Sequence, residues 1–99
     1  MTVHRRISMP ADHPVFAGHF PDHPVVPGAW LLDRVVETLA EAGEAGPWRV
    51  ATAKFLSPAG PDEHLDLTVS PPAAGGLRAF RIDCGGRTIA SGRIGPLEA

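Results

Sequence analysis

The chain has a single cysteine, Cys84, so no disulfide can form within it, and a lone thiol fits a reducing compartment. No stretch approaches the roughly 18 consecutive apolar residues that carry a helix across a bilayer. The first residues, MTVHRRISMPADH, are basic but lack an apolar segment behind them, which is not the pattern of a secretory signal. The expected location is therefore cytoplasmic, with no membrane partner. Charge of one sign is also missing. The formal net charge is −2 with the histidines neutral, which gives a nucleic-acid partner no electrostatic support. No internal repeat and no second domain are visible. What is present is a globular composition, 43% hydrophobic and 20% charged, in 99 residues, near the lower end of comfortable single-core size.

Proline and glycine are concentrated where they matter most. Val15 to Asp33 reads VFAGHFPDHPVVPGAWLLD, with two histidines, three prolines and two glycines in a loop that runs into an apolar helix. Each proline ring fixes φ and removes a backbone donor, so residues 15–27 are expected to form a stiff loop. From Gly28 to about Gly43 the chain reads as helix, with Ala29, Leu31, Leu32, Val35, Val36 and Leu39 on one broad arc. Arg34, Glu37, Thr38, Glu41 and Glu44 cover the opposite side, and Pro47 acts as the stop. Asp33 falls at the border between the faces.

Strands are expected at 3–9, 48–56, 64–70, 77–84 and 87–94. Arg5 interrupts the apolar side of the first, which suits a strand near an edge. Trp48 to Leu56 is apolar on both faces, as a central strand would be. Gly85-Gly86 marks a tight hairpin, and the tail from Gly95 is expected to fray. The order strand, helix, four strands gives an α+β fold, with about five antiparallel strands curled around one central helix. So short a sheet and one helix cover each other only in part, so a dimer formed by edge-to-edge sheet pairing is expected.

The chemistry-bearing residues sit around the helix start. His19 is able to remove a weakly acidic proton near neutral pH. Asp33, flanked by Leu31, Leu32, Val35 and Val36, is placed to remain protonated and act as an acid. Gly28 puts an unobstructed amide at the positive end of the helix. Base, acid and oxyanion donor together describe elimination or addition next to a carbonyl. Other residues read as structural. His23 is a loop histidine, Cys84 a core residue and Glu37 a solvated helix residue that repels Asp33. Pro21 and Pro24 deny His19 and His23 the geometry of a metal pair, so no metal is expected.

GHFPDHPVVPG followed by LLD resembles the hot-dog-fold β-hydroxyacyl-acyl-carrier-protein dehydratases of the FabA/FabZ type, whose hallmark is GHFPxxPxxPG and then an acidic residue. His19 and Asp33 are fourteen positions apart, as in that family. AKFLSPAGPDEHLDL (53–67) resembles its KFxxPVxPGDxLxL segment, and CGGRTIASGRI its final hairpin. The resemblance implies a single hot-dog domain and a dehydratase that converts a 3-hydroxyacyl thioester to the 2-enoyl thioester. It implies His19 as the base and Asp33 as the acid. The Gly28 amide would polarise the thioester carbonyl, the Val25 carbonyl would orient His19, and Phe20 and Trp30 would wall the acyl tunnel. It also implies a homodimer with active sites at the subunit interface, no cofactor of the enzyme's own, and a substrate carried on the phosphopantetheine of acyl-carrier protein. Arg5, Arg6, Arg78, Arg81, Arg87 and Arg93 are candidates for carrier docking. The alternatives are a hot-dog thioesterase and a non-catalytic acyl-binding or heterodimer subunit. The chain differs from the family in four ways. The acid is Asp where FabZ-like enzymes have Glu, Glu37 stands in place of glutamine, Asp62-Glu63 replaces Gly-Asp, and the helix and strand that open the larger enzymes are missing.

Overall fold

The computed structural model describes residues 2–14 and 25–97. Strand β1 (Val3–Ile7) leads toward the loop, and helix α1 (Gly28–Glu41) follows it. Four strands complete the chain: β2 (Trp48–Phe55), β3 (Leu65–Val69), β4 (Arg78–Cys84) and β5 (Arg87–Pro96). All pairings are antiparallel and the sheet order is β1-β3-β4-β5-β2, which puts β1 and β2 at the edges.

Alternation in β3 and β4, with a bulge at Ile89 and Ala90 of β5, builds the core. Leu65, Leu67 and Val69 of β3 are fully buried, as are Phe80 and Ile82 of β4 and Ile89, Ala90 and Ile94 of β5. They form one cluster with Leu31, Val35 and Leu39 of the helix, so the helix packs on a single face of the sheet. The helix ends in a Schellman motif. Gly43 takes φ +89, its N–H donates to the Ala40 carbonyl at 3.0 Å, and the Glu44 N–H reaches the Leu39 carbonyl at 2.9 Å. Only glycine reaches that angle at no steric cost, which is why the helix stops there.

Five expectations change. The tail does not fray at Gly95: β5 runs to Pro96, and the Leu97 N–H bonds to the Pro47 carbonyl at 3.0 Å. The buried stripe of α1 is Leu31, Val35, Thr38 and Leu39, while Ala29 is exposed and Val36 is 37% exposed. Thr38 enters the interior because its hydroxyl satisfies itself on the Arg34 carbonyl at 2.7 Å. Arg78 faces the core with 3% exposure, held by Glu44 and by the Ser70 carbonyl at 2.8 Å, so it is not a surface docking residue. Cys84 is half-buried, and its thiol donates to Glu63 at 3.2 Å. The largest change concerns β2. It is an edge strand, and Val50, Phe55 and the adjoining Leu56 are 39%, 54% and 60% exposed. Apolarity on both faces reports an edge left uncovered within one chain, not a central position.

Candidate active site

Pro27 precedes the helix in extended conformation and offers no side-chain cap. Its carbonyl accepts the Trp30 and Leu31 amides at 3.1 and 3.3 Å. The amides of Gly28 and Ala29 have no acceptor among the described residues, at the end of α1 where the helix dipole is positive. Beside them lies an apolar groove of about 370 Å³ lined by Val26, Gly28, Leu31, Phe55, Leu56 and Ile89, among others. The Phe55 ring rests over Gly28: a Cβ at position 28 would lie 2.8 Å from its Cζ. A side chain at position 28 would thus push the half-exposed Phe55 ring off its present seat. Sequence reasoning missed Phe55 and Leu56. Their signal was an apolar pair at the end of a strand with no neighbour on one side.

The turn that follows β2 clamps both ends of the proline loop. On one side the Val26 N–H donates to the Ala59 carbonyl at 2.7 Å. On the other, the Asp62 N–H donates to the Met9 carbonyl at 2.8 Å, and its carboxylate accepts from the Ala11 amide at 3.1 Å. Asp62 takes φ +63, the left-handed region that Asp tolerates through local hydrogen bonding. Glu63 accepts from the Gly60 amide at 2.7 Å and from Arg87 at 3.0 Å, fixing the turn to the β4–β5 hairpin. The Gly60 amide is the largest reason its carboxyl sits below the usual range, and the Cys84 thiol adds to this. The same bond to Glu63, helped by burial, pushes the Cys84 thiol up.

The residues named from the sequence are placed as follows. His19, Phe20 and His23 lie outside the described residues. Gly28 is at the mouth of the groove, and Val25 is exposed just before it. Trp30 packs on the opposite flank, against the core and under Arg34, whose guanidinium carbon is 5.1 Å from the ring centre. It does not line the groove at Gly28. Asp33 is exposed and makes no hydrogen bond or ion pair among the described residues, and these residues do not supply the apolar cover expected of its neighbours. Glu37 is not a free acid repelling it. Arg5 and Arg34 hold Glu37 at 2.6 and 3.0 Å, and the Arg5 hydrogen bond is the main cause of its lowered pKa. Among the described residues no group of acidic, histidine or cysteine side chains is arranged to hold a metal ion. No helix among them is long and apolar enough to cross a membrane.

A five-stranded antiparallel sheet packed against one helix is the architecture of a hot-dog domain. The sequence matches the family described as ApeI-like, ApeI dehydratase, over residues 1–93, and the chain belongs to that family. Its fold is similar to that of a chain in the dehydratase heterocomplex ApeI:P from Xenorhabdus doucetiae, with TM-score 0.76 and 27% identity, covering 95% of this chain and 85% of that one. Two curated relatives are 3-hydroxyacyl-acyl-carrier-protein dehydratases FabZ. The one from Gluconobacter oxydans is 33% identical over 59% of this chain and 41% of its own length. The one from Allorhizobium ampelinum is 28% identical over 88% of this chain and 64% of its own. The chain thus spans roughly two fifths to two thirds of these relatives.

Proposed function

We propose that the protein dehydrates 3-hydroxyacyl thioesters carried by acyl-carrier protein, giving the 2-enoyl thioester and water. The observation that carries this reading is the start of α1 at Gly28, beside an apolar groove and on the same helix as Asp33, which has no partner among the described residues. The groove suits an acyl chain or the pantetheine arm, and the Gly28 amide suits a thioester carbonyl oxygen. His19 removes the proton at C2, and the electron pair passes toward the carbonyl oxygen, where the Gly28 amide stabilises the developing charge. The pair then returns to form the C2–C3 double bond as the C3–O bond breaks. Asp33 donates its proton to the departing hydroxyl, which leaves as water. A proton passed from His19 to Asp33 through solvent restores both groups. The site needs no cofactor in this scheme, since the carrier's phosphopantetheine belongs to the substrate. The half-buried thiol of Cys84 fits a reducing, cytoplasmic setting.

The exposed apolar edge of β2, together with Val36 and Leu56, supports assembly through this edge, and a second copy would add cover to Asp33, which is exposed among the described residues. A homodimer is the simplest assembly that completes two sites. A heterodimer with a related subunit is the second reading, because a similar chain occurs in a dehydratase heterocomplex. Mass measurement of the purified protein in solution separates the two. The reaction is tested by incubating it with a short 3-hydroxyacyl thioester and following enoyl absorbance and product mass. Free acid in place of the enoyl thioester would favour a thioesterase, and no product on any carrier would favour a non-catalytic subunit.

The carrier is acidic, so its dock should use cations that are not already neutralised. Arg5, Arg6, Arg81 and Arg87 each hold a carboxylate, and Arg78 is buried on Glu44. Lys54 and Arg93 have no ion pair among the described residues and line one groove of about 600 Å³ with Thr52, Ser91 and Ala79. The variant Lys54→Gln with Arg93→Gln is expected to raise KM for carrier-bound substrate about tenfold by losing charge complementarity. Its kcat on a carrier-free thioester should match wild type. Equal kinetics on both substrates would remove this face from the dock.

A further inference from the structure

Arg5 is a half-buried cation on the side of β1 that its neighbours Val3 and Ile7 turn toward the core. Its partners lie on the helix. Nη1 is 2.6 Å from Oε1 of Glu37 and 3.4 Å from Oε2 of Glu41. Arg34 closes the network from the helix itself, with Nη1 3.0 Å from Oε2 of Glu37. Asp33, Glu37 and Glu41 follow one another at intervals of four residues, so they form one stripe along α1. Glu37 and Glu41 hold cations, and Asp33 holds none among the described residues. The strand that bears Arg5 continues to Met9 and Ala11, where Asp62 fastens the chain at the entrance to the proline loop. The pair therefore ties the acid-bearing helix to the strand that leads toward His19.

We propose that Arg5 is a positioning residue for the dehydration, which this inference takes as its basis. By holding Glu37 and Glu41 it anchors the Asp33 flank of α1 to β1 and leaves Asp33 the open carboxyl of the stripe. Loss of Arg5 removes the nearer of the two cations on Glu37, one turn from Asp33, and leaves Arg34 alone to neutralise it. The helix flank also loses its tie to the sheet edge.

The test uses full-length protein and a carrier-free 3-hydroxyacyl thioester. Arg5→Gln is expected to lower kcat about tenfold with KM within about twofold, the scale of coupling between charges in contact. Arg5→Lys keeps the charge and should retain most of the rate. Arg5→Gln combined with Glu37→Gln should recover most of kcat, because the carboxylate that lost its nearer cation is gone. A role in packing alone predicts no such recovery. Wild-type kcat in Arg5→Gln, or a double variant as slow as the single one, overturns the proposal while leaving the dehydratase reading intact. No enoyl product from wild type defeats both. If Arg5→Gln does not fold, the exchanged pair Arg5→Glu with Glu37→Arg carries the test. Folding with kcat within about threefold of wild type supports the proposal, and a folded exchange slowed more than that overturns it.

Discussion

Asp33→Asn is expected to leave the fold intact and to lower the dehydration rate by about a thousandfold, within the range for loss of a general acid. The two halves of this result come from the same observation. Asp33 is exposed and unpaired among the described residues, so the amide removes no structural contact. The melting temperature should stay within about 2 °C of wild type, as for a surface substitution away from any buried feature. The amide keeps the shape of the carboxyl but carries no acidic proton, so the C3 hydroxyl must leave as hydroxide or wait for solvent. His19→Ala should fail at the other step, removal of the C2 proton, with a loss of similar size. Thermal unfolding and enoyl absorbance, measured on the same preparations, check both halves. Full activity in either variant would take that residue out of the mechanism. A large melting change in Asp33→Asn would show that its role is structural.

Gly92→Ala is expected to be the most damaging one-carbon change in the sheet. A Cβ at this position would lie 2.1 Å from the Thr52 carbonyl oxygen and 2.6 Å from Cζ of Phe80. Phe80 is only 2% exposed, so its ring has little room to turn aside. The carbonyl belongs to the backbone of β2 and sits next to the register shift between Val50 and Thr52. The methyl group is therefore accommodated by moving β2 away from β5. We expect a loss of about 3 kcal/mol, at the upper end for overpacking. For a domain of this size that corresponds to a fall of roughly 15 °C in Tm. Activity should fall as well, because β2 carries Phe55 onto Gly28 at the mouth of the groove. Gly86→Ala is the control: a Cβ there meets nothing within 4 Å and should change Tm little. A Gly92→Ala protein that melts with wild type would mean that β2 is not held where this geometry places it.

Much of the fold was legible because local rules decided it. The alternation through Leu65, Leu67 and Val69 could only be a strand with one buried face, and Gly85-Gly86 could only be its type of turn. The helix start at Gly28 followed from the proline before it, and its end from Gly43. The candidate chemistry was legible too, because GHFPDHPVVPG and the acid that follows it form a local pattern. Readings that depended on distant residues fared less well. Trp48 to Leu56 looks central by composition, yet an edge strand bound for a partner surface carries the same apolar pattern on both faces. Arg78 looks like surface, and only the approach of Glu44 from the far end of the helix makes its burial tolerable. Glu37 looks like a free acid until Arg5 reaches it from a strand 32 residues earlier.

By itself, then, the sequence determined which segments are strand and helix, where the backbone turns, and which residue types are available for proton transfer. Those depend on side-chain periodicity and on the backbone limits of proline and glycine, which act over a few residues. The tertiary structure decided which sheet edge is left bare, which arginines are already neutralised, and that Phe55 rests on Gly28 at the start of the helix. Those outcomes depend on which strands become neighbours, and pairing between residues tens of positions apart is settled only when the whole sheet closes over the helix.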